Sequence, residues 1–117
     1  MTLKAINDSQ RRTVAERVRV CRSFFSRLVG LLGVSRISPD EACLIRRCSG
    51  VHTIGMRFSI DAVFLDASDR VVSICPNVRP NRIITFRRNA KSVLESAAGA
   101  ASSRCAVGDT LRWEETP

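Results

Sequence analysis

A histidine, a threonine, an arginine and an aspartate lie close together in the chain, at His52, Thr53, Arg57 and Asp61. An arginine can hold an anion through two parallel hydrogen bonds. A histidine can exchange protons near neutral pH, and a threonine hydroxyl can donate a hydrogen bond. These four residues are therefore the candidate ligand-binding residues, placed around a small polar pocket. The alternative is an enzyme that acts on a small anionic substrate through His52, Arg57 and Asp61.

The motifs of the common hydrolases do not occur in the sequence. No serine lies in a G-x-S-x-G turn, and one histidine without a plausible metal set disfavours the usual metallohydrolases. A Cys48–His52 nucleophile pair is conceivable, but nothing in the sequence indicates an activated thiolate. A binding module is thus favoured over an enzyme, no catalytic residue is assigned, and no cofactor is expected.

The strand that should position Asp61 is the apolar run from Phe58 to Leu65, which is rich in aromatic and β-branched residues. Side chains alternate between the two faces of a strand, and here both faces are largely apolar. We therefore expect a strand that is covered on both sides. A buried carboxylate needs partners, and backbone N–H groups of residues 51–55 are the simplest ones. Asp61 is then either a structural residue that ties this loop to the sheet or a part of the pocket.

The longest motif is V-H-T-I-G-M-R-F-S-I-D-A-V-F-L-D, residues 51–66, and it is accompanied by R-L-V-G-L-L-G at 27–33 and V-G-D-T-L at 107–111. These segments resemble the DUF192 family of prokaryotic domains of unknown function, over about residues 3–113. The resemblance implies a small, mainly β domain of β-sandwich or jelly-roll type, with no established activity. It also suggests an accessory role in secretion or pilus assembly. Three residues depart from the family pattern: Ser59 replaces a usual proline, Asp69 a usual glycine, and Ser96 a usual apolar residue.

The remaining pattern predicts a mainly β fold in a single domain, residues 1–117, with one or two short helices. Strands are expected near residues 3–7, 13–21, 42–47, 58–65, 70–75, 82–86, 92–95 and 110–114. An apolar stripe at helical spacing predicts a helix over residues 24–32. A run of small residues at 97–103 predicts a helical turn.

Five cysteines are present, and none lies in a C-x-x-C motif. In a reducing compartment they are expected to be free thiols that behave as small apolar residues. Cys43, Cys48 and His52 form a C-x4-C-x3-H array. We expect no metal there, because Cys43 and Cys48 should lie on opposite faces of one strand and no second ligand pair follows.

The chain carries a formal net charge of +8, and no acidic residue occurs between Arg70 and Leu94. The candidate basic patch comprises Arg79, Arg82, Arg87 and Arg88. Its expected partner is an acidic protein surface or a small anion. Only weak, non-specific nucleic-acid binding is expected as a further alternative, because an aromatic content of 5% leaves few residues for base stacking. No secretory signal or membrane span is recognisable, so a cytoplasmic location is expected.

Overall fold

The computed structural model describes residues 2–21, 37–85 and 87–116, and nine strands lie within them. They are β1 (Thr2–Asn7), β2 (Arg12–Cys21), β3 (Glu41–Arg46), β4 (Val51–His52), β5 (Ile60–Leu65), β6 (Val71–Val78), β7 (Ile83–Ile84), β8 (Ser92–Ala97) and β9 (Leu111–Thr116). The predicted mainly β class is confirmed. Each predicted strand overlaps a strand of the structure, and β4 was not predicted.

Seven of these strands form one sheet in the order β6-β5-β8-β3-β2-β1-β9, and β4 pairs with β7 in a separate two-stranded sheet. Neighbours in the large sheet are antiparallel, apart from the parallel pair β2 and β3. All seven strands contribute side chains to one buried apolar cluster, which includes Val18, Leu44, Val63, Leu94 and Leu111. A single shared core of this kind requires the sheet to curl around its own inner face.

Strand β5 is buried along its whole length, as its two apolar faces predicted. Val63 and Leu65 belong to the inner cluster, whereas Ala62 and Phe64 belong to a second cluster on the outer face of the sheet. The outer cluster also contains Val51 and the partly buried Ile84. The two-stranded β4–β7 sheet therefore covers the outer face, and β5 separates it from the inner core.

The two edges of the large sheet meet near Asp69, one of the three residues that depart from the family pattern. Arg70 and Thr110 form an isolated bridge between these edges. Asp69 has φ of 60°, a left-handed backbone in which glycine is unstrained and aspartate is tolerated. Its carboxylate accepts hydrogen bonds from Arg46 Nη1 at 2.7 Å and from Trp113 Nε1 at 2.9 Å. Aspartate thus keeps the turn and adds two ties between distant strands.

Ser96, a second departure from the family pattern, is buried without leaving its hydroxyl unpaired. The hydroxyl O–H donates to the Ala97 carbonyl at 2.9 Å, and its oxygen accepts from the Ala101 N–H at 3.0 Å. It therefore fixes the turn that follows β8, where the sequence predicted a helical turn. The structure has consecutive turns over residues 98–104.

The predicted helix over residues 24–32 lies outside the described residues. Within the described ranges there is no helix, and so none that is long and apolar enough to cross a membrane. The strand predicted over residues 70–75 continues through Pro76 to Val78, and as β6 it is an edge strand of the sheet. A proline on an edge strand removes no hydrogen bond that the sheet needs.

Two cysteines that were expected to be free thiols form a disulfide. Cys21 and Cys43 lie on the neighbouring parallel strands β2 and β3, with a Cα–Cα distance of 6.4 Å. The thiols of Cys48, Cys75 and Cys105 are not part of a disulfide. Burial raises the pKa of the Cys105 thiol to about 12, so this thiol stays protonated and unreactive in the folded chain.

This pairing predicts the number of thiols that can be alkylated. Protein denatured in urea without reductant should take up iodoacetamide at Cys48, Cys75 and Cys105 only, and at all five cysteines after reduction. Intact-mass measurement of the two samples counts the adducts, and peptide mapping locates them. Five adducts before reduction, from protein purified without reductant, would contradict the pairing.

Candidate functional site

Asp61 is fully buried, and both of its carboxylate oxygens are used by backbone N–H groups. Asn77 N–H donates to Oδ1 at 2.9 Å, while Gly99 and Ser102 N–H donate to Oδ2 at 3.0 and 2.8 Å. Backbone N–H partners were expected, but they come from β6 and from the turn after β8, not from residues 51–55. Asp61 therefore joins three separate segments of the sheet, which is a structural role.

Local backbone geometry turns the donors toward Asp61. The pairing of β5 with β6 shifts register between Ile60 and Ala62, opposite Pro76 and Asn77. Asn77 has φ of 51°, so the backbone at this bulge rotates its N–H out of the ladder and toward the carboxylate. Gly99 has φ of 85°, a conformation that glycine adopts without strain.

Thr53 is also fully buried, and its hydroxyl is used within the chain. The hydroxyl donates to the Arg79 carbonyl at 2.6 Å and accepts from the Arg82 N–H at 2.9 Å. The Thr53 N–H donates in turn to the Arg82 carbonyl at 2.9 Å. Thr53 thus ties the loop after β4 to the turn before β7, and its hydroxyl is not presented to a ligand.

His52 lies on the two-stranded sheet, opposite Ile83, while Val51 is opposite Ile84. Cross-strand partners share a face of a sheet. Val51 and Ile84 pack on the outer cluster, so His52 and Ile83 lie on the other face, away from it. Gly50 permits this packing, because a Cβ there would lie 2.8 Å from the Ile84 carbonyl oxygen.

A cavity of about 440 Å³ opens beside the two-stranded sheet. His52 and Arg47 line it together with Ile54, Ile83 and Cys48. Its wall is mostly apolar, in contrast to the small polar pocket that the sequence suggested. Arg47, Ile54 and Ile83 were not predicted as site residues. Both isoleucines lie next to polar or turn residues, where a buried strand residue is not expected. This position in the sequence is the signal that could have identified them as site residues.

The four candidate residues are therefore not assembled around one pocket. His52 lines the cavity, Arg57 is exposed, and Thr53 and Asp61 are buried in hydrogen-bonded structure. Asp61 shares a face of β5 with Val63 and Leu65, which belong to the inner cluster. The β4–β7 sheet covers the opposite face, so β5 stands between Asp61 and the cavity.

The four arginines of the candidate basic patch are exposed. Arg79, Arg82, Arg87 and Arg88 are all exposed, as is Lys91. The chain from 79 to 82 is tied to Thr53, and the Arg87 N–H donates to the Ser49 carbonyl at 2.9 Å. Arg79 and Arg82 precede β7 and Arg87 and Arg88 follow it, so cations lie beyond both ends of this strand. We call residues 79–91 the basic segment.

The C-x4-C-x3-H array does not have the geometry that the sequence suggested. Strand β3 ends at Arg46, and Arg47 has φ of 55°. Cys48 therefore lies beyond the strand and packs in the same outer cluster as Cys43, not on the opposite face. Its thiol donates to the Gly50 carbonyl at 2.8 Å, and Cys43 is held in the disulfide. Among the described residues no group of three or more possible metal ligands occurs.

Comparison with known proteins places this geometry in a family context. The model of the DUF192 family, described as an uncharacterized ACR, matches residues 5–113. A UPF0127 protein of Thermococcus sibiricus is 30% identical over 117 residues, covering 93% of this chain and 73% of the relative. A UPF0127 protein of Pyrococcus horikoshii is 30% identical over 115 residues, covering 92% of this chain and 96% of the relative.

Two solved structures share the fold. A protein of unknown function from Novosphingobium aromaticivorans superposes with a TM-score of 0.78 at 19% identity, covering 97% of this chain and 84% of its own. A proposed transcription regulator from Sinorhizobium meliloti superposes with a TM-score of 0.78 at 23% identity, covering 95% of this chain and 91% of its own. At these identities the likeness establishes the fold alone.

Proposed function

The chain belongs to the DUF192 family, and from the charge and geometry of this member we propose that it is a non-enzymatic binding module for an acidic partner surface. The observation that carries the proposal is the basic segment, whose arginines are exposed, which contains no acidic residue, and of which Ile83 and Ile84 line the cavity. Like charges that are not compensated locally produce a positive potential at the surface, and this potential attracts an acidic partner. An acidic protein of a secretion or pilus-assembly system is the context that the family resemblance suggests.

Two observations support binding over the enzymatic alternative. The proposed catalytic set of His52, Arg57 and Asp61 is divided between a cavity wall, the surface and a buried hydrogen-bond network. Thr53, the fourth candidate, has its hydroxyl occupied by backbone groups. A general acid or base must be within hydrogen-bond reach of the group that reacts, and Asp61 is separated from the cavity by β5.

Charge reversal in the basic segment tests the proposal. The variant Arg82→Glu with Arg88→Glu avoids Arg87, whose guanidinium donates to Cys75 Sγ at 3.4 Å. We expect the affinity for fluorescently labelled poly-glutamate, measured by anisotropy at about 0.05 M salt, to fall at least about tenfold, because attraction at the interface becomes repulsion. Binding of the unmodified protein should also weaken as salt rises.

The matched control is Arg11→Glu with Arg12→Glu, at the last residue of the β1–β2 turn and the first residue of β2, where both side chains are exposed. It changes the net charge by the same amount and should leave most of the affinity intact. Equal losses in the two variants would show a general charge effect and contradict a defined site. Tighter binding to an oligonucleotide than to poly-glutamate, with a steep fall of affinity with salt, would favour nucleic acid as the partner.

A further inference from the structure

Two large apolar side chains are exposed at the cavity. Ile54 is 50% exposed and Ile83 is 67% exposed, and both line the cavity. The other large apolar side chains exposed in the described ranges, Val20 and Val107, do not line it. Apolar residues scattered singly over a surface need no explanation, whereas apolar residues grouped around a concave site indicate an interaction.

The cavity is held in shape by apolar packing and by hydrogen bonds. Val51 and Ile84 fix the β4–β7 sheet on the outer cluster, and Thr53 holds the following loop through hydrogen bonds to residues 79 and 82. Gly50 lets β7 approach closely. The cavity volume of about 440 Å³ falls in the range of sites that bind small molecules. A preformed cavity loses little conformational entropy when it is filled.

The charges around the cavity define the occupant more closely. Arg47 lines the cavity itself, Arg82 precedes Ile83, and Arg88 lies beyond the other end of β7. Along the chain, positive charge thus lies on both sides of Ile83. A fatty acid or a lipid offers negative charge at one end only. An extended peptide with acidic residues before and after one aliphatic residue offers it on both sides.

We propose that the cavity is a docking site for an extended acidic peptide segment, and that it receives one aliphatic side chain of that segment against Ile54 and Ile83. The inference rests on the proposed function and adds to it a specific apolar contact. Charge brings the partner to the basic segment, and the aliphatic side chain fixes its position.

Two acetylated, fluorescently labelled peptides test the inference: Glu-Glu-Leu-Glu-Glu and the same peptide with serine at the centre. Anisotropy titrations are made with the full chain at about 0.05 M salt. The leucine peptide should bind about tenfold more tightly than the serine peptide, since burying most of a leucine side chain is worth about one order of magnitude in affinity. In the variant Ile83→Ser the two peptides should bind equally.

The matched control is Val107→Ser, which removes a side chain that is 63% exposed away from the cavity. It should retain the tenfold preference, and thermal melting should show that both variants remain folded. Equal binding of both peptides to the unmodified protein overturns the inference while leaving the proposed function intact. If the unmodified protein binds neither peptide, both the inference and the proposed function are overturned. Preferential binding of hexanoate or of vesicles containing phosphatidylserine, lost in Ile83→Ser, would overturn the peptide as occupant.

Discussion

Replacing Asp61 with alanine is expected to lower the free energy of unfolding by about 3–4 kcal/mol, because three partly buried hydrogen bonds from backbone N–H groups lose their acceptor together. The three donors belong to β6 and to the turn after β8, so the change loosens two connections of the sheet at once. Urea denaturation measures the effect through the shift in midpoint at constant slope.

Two variants show whether the loss comes from this network. Asp61→Asn should cost less, about 1–3 kcal/mol, because the amide oxygen can still accept from one side while the amide nitrogen meets a donor on the other. Asp66→Ala is the matched control, since Asp66 accepts the Ser68 and Arg70 N–H groups in an exposed turn. It should cost about 1 kcal/mol or less. A midpoint for Asp61→Ala that equals that of Asp66→Ala would contradict the network.

Replacing Gly50 with alanine is expected to lower the free energy of unfolding by about 2–3 kcal/mol. The new Cβ would lie 2.8 Å from the Ile84 carbonyl oxygen and 3.4 Å from the Thr85 carbonyl carbon. Both are backbone atoms, so no side-chain rotation can relieve the contact and β7 must move. Amide exchange at Val51 and Ile84 should therefore accelerate, in addition to the shift in the urea midpoint.

Ser49→Ala is the control for this substitution. Ser49 precedes Gly50 and contributes its backbone carbonyl to the Arg87 N–H, which alanine preserves. The free energy of unfolding should change by less than about 0.5 kcal/mol, as is usual for substitutions that remove no defined contact. If Gly50→Ala were as stable as Ser49→Ala, the close approach of β7 to Gly50 would be wrong.

The candidate site was predictable only in part. His52 does line a cavity, and the cations of the basic segment are exposed. The partners of Asp61 could not be assigned, because they are set by a bulge at Pro76 and Asn77 and by a turn near Gly99. The apolar character of the cavity could not be predicted either, because it arises where Ile54 and Ile83, which are far apart in the sequence, come together.

Strand positions were local properties of the sequence. Alternation of side chains at period two and the flanking turn residues defined β5, and its two apolar faces predicted burial on both sides. The resemblance to DUF192 implied the mainly β fold. These features depend on residues within one segment, so the amino-acid sequence by itself determined them.

The strand order was decided only by the tertiary structure. Strand β3 lies between β2 and β8, and the edges of the sheet meet where Arg70 pairs with Thr110. The Cys21–Cys43 disulfide, the short β4–β7 sheet and the ties from Asp69 to Arg46 and Trp113 follow from that arrangement. Each joins residues that are distant in the chain. Because local patterns fix which face a side chain occupies but not which strand lies beside it, these contacts required the folded chain.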